Sequence, residues 1–162
     1  MVNILGPELV TNGDFTGDAT GWSLGTGWAY GTNNVVATAA SGILIQTYDP
    51  GVLVDGATYR VTYTISGYVD GTYRAQLYGN LQTGQGVNRT ANGTYTETIT
   101  VSDDAAASDR FRITTIVAGT ATIDDISVVE VSRPRGAVKR KRRRIRYYEP
   151  WEYELGDPFN KD

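Results

Sequence analysis

Two pairs of adjacent acids, Asp103-Asp104 and Asp124-Asp125, are the residues whose type could support acid–base work on a glycosidic bond. That chemistry needs two carboxyl groups opposed across the substrate, roughly 5 to 9 Å apart. Neighbours along a strand point to opposite faces, so neither pair alone supplies such a couple. Composition removes other reactive constellations. The 162 residues include no cysteine and no histidine, which excludes thiol nucleophiles, Cys/His zinc sites, disulfides and a Ser-His-Asp triad. Thr83-Gly84-Gln85-Gly86 lacks the downstream lysine and the strand-to-helix setting of a phosphate loop. Asn88-Arg89-Thr90 and Asn92-Gly93-Thr94 match the glycosylation sequon, but with no signal peptide in view Asn92-Gly93 reads as a hairpin turn. The expectation is a protein that is not an enzyme and carries no resident cofactor.

The densest functional signal is cationic. Lys139, Arg140, Lys141, Arg142, Arg143, Arg144 and Arg146 make 7 of the 8 residues from 139 to 146 basic, a density that cannot build a core and repels itself open. It calls for a polyanion: nucleic acid held through counterion release, anionic lipid, or the acidic surface of a neighbouring subunit. The charge is strongly segregated. Residues 1–132 hold 5 Arg and 13 acids, a net of −8; residues 133–146 carry 9 cations; residues 147–162 hold 5 acids against Lys161, a net of −4. Beyond the basic run, Tyr147, Tyr148, Trp151 and Tyr153 alternate with acids, and large aromatics of this kind anchor protein interfaces. The chain therefore divides into a domain over 1–132 and a docking arm over 133–162.

The elements that must carry these groups are strands. Nineteen glycines, 11 tyrosines, a single methionine and 20% charged residues favour strands and tight turns over helices. Apolar residues recur with period two, broken at short intervals by Gly, Asn and Asp, which predicts strands near 8–10, 27–31, 33–40, 43–48, 58–69, 73–79, 94–102, 110–118 and 121–131. Tyr59, Val61, Tyr63 and Ile65 face one way, and Arg60, Thr62, Thr64 and Ser66 the other. The same alternation sets Tyr73, Ala75 and Leu77 against Arg74, Gln76, Tyr78 and Asn80, and Phe111, Ile113 and Val117 against Arg110, Arg112 and Thr114. About nine antiparallel strands, each with one polar face, imply an all-β sandwich, a jelly roll. No apolar run approaches the roughly 20 residues of a membrane helix.

Both ends of the strand-rich region carry a resemblance. Glu8-Leu9-Val10-Thr11-Asn12-Gly13-Asp14-Phe15 followed by Gly21-Trp22, together with the closing Ala121-Thr122-Ile123-Asp124-Asp125-Ile126-Ser127-Val128, resembles the carbohydrate-binding modules of the family 4, 9 and 22 group. The resemblance implies a galactose-binding-like jelly roll. In that group a concave sheet face holds glycan by stacking aromatic planes on sugar C–H groups, with Arg, Gln and Asn bonding to hydroxyls. Candidates here are Gln46, Tyr48, Arg60, Arg74, Gln76 and Tyr78, with Trp28 and Tyr30 at the rim. Trp22 belongs to the signature and is expected in the core. The group often holds a structural calcium, for which Asp14, Asp124 and Asp125 are the candidate oxygens. The position after Phe15, commonly Glu in the group, is Thr16 here, so one carboxylate is missing and turn chemistry is the preferred reading of these acids.

A stand-alone module with a docking arm is also similar to small jelly-roll accessory proteins of tailed-phage virions. The expectation is a virion structural protein, decorating or cementing a capsid or sitting at the neck or tail. Its arm engages other virion subunits and it forms a homo-oligomer. Met1 to Leu9 lacks a basic region followed by an apolar stretch, so synthesis in a host cytoplasm without a signal peptide is expected. The alternative is a carbohydrate-binding module that attaches a virus or complex to cell-surface glycan. Nucleic-acid binding by the arm ranks third.

Overall fold

Inward residues decide where the strands lie. In a computed structural model that describes residues 5–78, 84–102 and 109–132, Tyr59, Val61, Tyr63 and Ile65 of the strand Thr58–Ser66 are buried, while Arg60, Thr62 and Thr64 between them are partly exposed. Ten strands form among the described residues: β1 Ser23–Leu24, β2 Trp28–Tyr30, β3 Val35–Ala40, β4 Ile43–Tyr48, β5 Thr58–Ser66, β6 Thr72–Tyr78, β7 Gly84–Gln85, β8 Gly93–Thr100, β9 Asp109–Val117 and β10 Gly119–Ser132. They pair antiparallel into two five-stranded sheets, ordered β1-β4-β9-β6-β7 and β2-β3-β10-β5-β8. The architecture is the all-β jelly-roll sandwich that the alternation predicts.

Between the sheets lies a core rich in aromatic rings. Phe15 and Trp22 meet at 5.2 Å, Trp22 stands edge-on to Phe111 at 6.1 Å, and Trp28 stands edge-on to Tyr73 at 6.1 Å. Such tilted and T-shaped contacts let each ring's positive edge meet its neighbour's negative face, while the rings bury large apolar areas. Polar ends inside the core need partners: Trp22 Nε1 donates to the Asn12 carbonyl and Trp28 Nε1 to the Gly42 carbonyl.

The two ends that carry the family resemblance pack against each other. Glu8 bridges Val129, Leu9 N donates to Val128 O, and Ile126 N donates to Gly13 O. The Glu8 carboxylate also accepts from Ser127 Oγ and Val128 N. Gly13 is required by proximity, since a Cβ there would lie 2.0 Å from the Ile126 carbonyl oxygen. Opposite β5, the register of β10 slips between Asp124 and Ser127, and Asp125 adopts φ 52°. This is a bulge that gives the closing strand an extra residue where the opening segment crosses it.

Three local expectations differ from the structure. Residues 8–10 form a single bridge rather than a strand. The two-residue strands β1 and β7 were not foreseen, because two residues are too short to show alternation. Asn92 lies in a bend with Ala91, and Gly93 is already the first residue of β8, which pairs with β5 rather than with the preceding β7; Asn92 Oδ1 accepts from Tyr68 N. Asp103-Asp104 and the arm over 133–162 lie outside the described residues.

Candidate functional site

The outward positions of the β1-β4-β9-β6-β7 sheet follow from its register. Ser23 lies beside Ile45, Ile45 beside Arg112, Arg112 beside Gln76 and Gln76 beside Gln85, giving one row across all five strands. On one side of this row Thr114 pairs with Arg74, and on the other Arg110 pairs with Tyr78. Inward parity is fixed by Tyr73, Ala75 and Leu77 on β6 and by Phe111 and Ile113 on β9, all fully buried. Three guanidinium groups therefore project from two neighbouring strands, with a tyrosine and a glutamine between them.

These side chains are tied together. Gln76 is only 2% exposed although it points outward, because its neighbours close over it: its Oε1 accepts from Arg112 Nε at 2.8 Å and from Thr114 Oγ1 at 2.5 Å. Arg112 lies over the Tyr78 ring, 4.2 Å from its centroid, and Arg110 approaches the same ring at 5.9 Å. Cation–π attraction of this kind contributes about 0.5–1 kcal/mol at an exposed site. Burial, aided by the charges of Arg110 and Arg74, holds the Arg112 guanidinium below its ordinary pKa despite the opposing pull of Tyr78. The Nε of Arg74 is buried and has no hydrogen-bond partner among the described residues. No strand position on this face is an Asp or Glu.

Of the sequence candidates, the structure brings together Arg74, Gln76 and Tyr78. It separates the others. Gln46 and Tyr48 share the inward parity of Leu44. Gln46 clamps the opening segment, accepting from Thr11 N at 2.9 Å and donating to Thr11 O at 2.8 Å. Tyr48 packs against the core with its hydroxyl buried and without a hydrogen-bond partner among the described residues, and burial together with the Glu8 charge pushes its phenol pKa up. Arg60 points outward, but from β5 on the other sheet, between Thr98 and Val129. Trp28 is a core residue at 6% exposure rather than a rim plane, whereas Tyr30 is exposed and its hydroxyl accepts from Asn33 N. The residues missing from the sequence-derived site are Arg110, Arg112, Thr114 and Gln85. Alternation had placed the first three on a polar face, but only the pairing of β9 with β6 puts them beside Arg74, Gln76 and Tyr78.

The calcium candidates are engaged in local hydrogen bonds of the turn and bulge. Both Asp14 carboxylate oxygens are used by Thr16, whose amide and hydroxyl donate to them, and these bonds hold the Asp14 pKa below its ordinary value. Asp124 Oδ1 accepts from Asp125 N at 2.7 Å, and burial, with Asp125 and Asp14 nearby, raises the Asp124 pKa. Among the described residues no group of three or more acidic side chains is placed to hold a metal.

No family model and no curated protein matches the chain. Solved structures do. A family 4 carbohydrate-binding module superposes with a TM-score of 0.51 at 17% identity over 74% of this chain and 98% of the module. The xylan-binding CBM22-1 domain of Paenibacillus barcinonensis Xyn10C gives 0.54 at 13% identity, over 80% of this chain and 97% of the domain. The N-terminal cellulose-binding domain of Cellulomonas fimi β-1,4-glucanase C gives 0.54 at 18% identity, over 76% and 97%. At these identities the likeness is one of fold. The described residues adopt the jelly roll of carbohydrate-binding modules.

Proposed function

We propose that this chain is a non-catalytic glycan-binding module whose ligand lies across the outward face of the β1-β4-β9-β6-β7 sheet. The observation that carries this reading is the cluster of Arg74, Gln76, Tyr78, Arg112 and Thr114, which gathers hydrogen-bond donors on one side of the sandwich. Sugar hydroxyls and ring oxygens need such convergent donors, and a sheet spaces them along a linear chain. The fold likeness to modules described as xylan- and cellulose-binding supports it. The alternative of a virion component, with capsid or neck and tail proteins as partners, rests on residues 133–162, and no feature of the described residues favours it.

Affinity gel electrophoresis of the full chain against a panel of soluble polysaccharides tests the proposal. Retardation by at least one polymer is expected, reduced by Arg74→Ala and by Tyr78→Ala and unaffected by Thr62→Ala on the opposite sheet. Migration unaffected by every polymer, or retardation that both face variants retain in full, would contradict it.

A further inference from the structure

Resting on the reading that this face binds glycan, we infer that its ligand is an anionic polysaccharide, one whose sugars carry carboxylate or sulfate groups. Three observations lead there. The first concerns the available plane. Tyr78 is the aromatic residue among the strand positions of this face, and its ring already holds the Arg112 guanidinium at 4.2 Å. Stacking on a bare aromatic surface, the usual grip on a neutral sugar ring, competes here with a cation already in place.

The second is the distribution of charge. Residues 1–132 contain 5 arginines against 13 acids, yet Arg74, Arg110 and Arg112 lie on one face whose strand positions carry no acid. Like charges on adjacent strands repel, and an anion placed between them relieves that repulsion. Arg110 already has a partner of its own, so the inference rests on Arg74 and Arg112.

The third is geometry. A guanidinium grips carboxylate or sulfate through two parallel N–H groups. Arg74 is partly exposed, with its Nε buried and without a partner among the described residues, so the rest of its guanidinium is what meets a ligand. Arg112 is held by its Nε bond to the buried Gln76 and by its contact with Tyr78, which leaves its terminal amino groups pre-oriented and lowers the ordering cost of binding.

The polybasic segment 139–146 would also attract any polyanion, so the test must separate it from the sheet. Binding of the full chain is measured by calorimetry against polygalacturonate and its fully methyl-esterified form, and against dextran sulfate and dextran. Four proteins are compared: the unchanged chain, Arg74→Gln with Arg112→Gln, Arg112→Lys, and a chain in which the seven cations of 139–146 are replaced by Gln. The expected result is binding to one acidic polymer and not to its neutral counterpart. That binding should weaken about tenfold for each arginine removed, survive the 139–146 replacement and fall with added salt. The pair that binds tells carboxylate from sulfate. An unchanged melting temperature shows that the double variant is folded, and Arg112→Lys, which keeps charge but loses the two-pronged edge, should bind weakly too.

Equal binding of neutral and acidic polymers that depends on Arg74 or Tyr78 overturns the anionic inference and leaves the glycan-binding proposal standing. Absence of binding to every polymer in both this experiment and the electrophoresis panel overturns both. Acidic binding that survives the double Gln variant but not the 139–146 replacement assigns it to the basic segment and overturns the inference, as does equally tight, face-dependent binding of single-stranded DNA.

Discussion

The sandwich has two outward faces built from the same alternating strands, and they have opposite chemical character. On the β5–β8 side, Thr58 meets Thr100, Thr62 meets Thr96 and Thr64 meets Thr94, and in each pair the hydroxyls bond to each other at 3.0–3.1 Å. Every such hydroxyl has a partner supplied by the adjacent strand, so little is left to offer a ligand. On the β6–β9 side the charged outward residues, Arg74, Arg110 and Arg112, are of one sign, and Arg112 is held through its Nε bond to Gln76 and its contact with the Tyr78 ring rather than by a mutual pairing of surface groups. Polarity alone does not make a surface a binding site. What matters is whether the polar groups satisfy one another.

Breaking the β6–β9 face should have the largest effect. Arg74→Gln combined with Arg112→Gln should lower affinity for the acidic polymer on the order of a hundredfold, whereas Thr62→Ala with Thr96→Ala should leave it unchanged; calorimetry reads both. Gln46 sharpens the contrast from inside. Its two bonds hold the Thr11 backbone, so Gln46→Ala should cost about 1–3 kcal/mol of stability in denaturant titrations with no specific loss of binding by the folded protein. The threonine pairs should matter less. Thr62→Val with Thr96→Val exchanges one hydroxyl pair for a cross-strand β-branched pair and should change stability by under about 1 kcal/mol.

The smallest effect expected is at Asp124. Its pKa is raised in the fold, mainly by burial, so the folded chain holds this proton more tightly than the unfolded one. Its contribution to stability is therefore fully present below the ordinary carboxylate pKa and is lost as pH rises through the raised value. Asp124→Asn removes that loss and keeps an oxygen for Asp125 N. The variant should melt slightly higher than the unchanged chain at neutral pH, and the difference should vanish in acid.

Long strands were legible in the sequence, and the face they compose was only half legible. In β5, β6 and β9 one set of alternating positions is almost purely apolar, so parity could be assigned without knowing any partner. In β4 the run Ile43-Leu44-Ile45 is apolar on both sides, and nothing in it says that Gln46 and Tyr48 follow Leu44 inward. Arg60 has the expected outward parity but stands on the other sheet, because a strand's own pattern says nothing about which sheet it joins. The place of Arg112 is illegible for the same reason: it reaches Gln76 across 36 residues of chain, a relation set by pairing rather than by spacing. Trp28 misled through its amphipathic character. An indole can be buried once its N–H finds a carbonyl, and Gly42 provides one.

The central claim is that ligand binding belongs to the β6–β9 face, and NMR mapping on the full chain tests it most directly. Oligogalacturonide, and separately a sulfated dextran oligomer, would be titrated while the arginine Nε–H and backbone amide signals are followed. The account predicts that Arg74 and Arg112 Nε–H signals shift saturably, with amide shifts along β6 and β9 and none along Thr94 to Thr100. Shifts confined to the threonine face or to residues 133–162, with Arg74 and Arg112 unmoved, would contradict it.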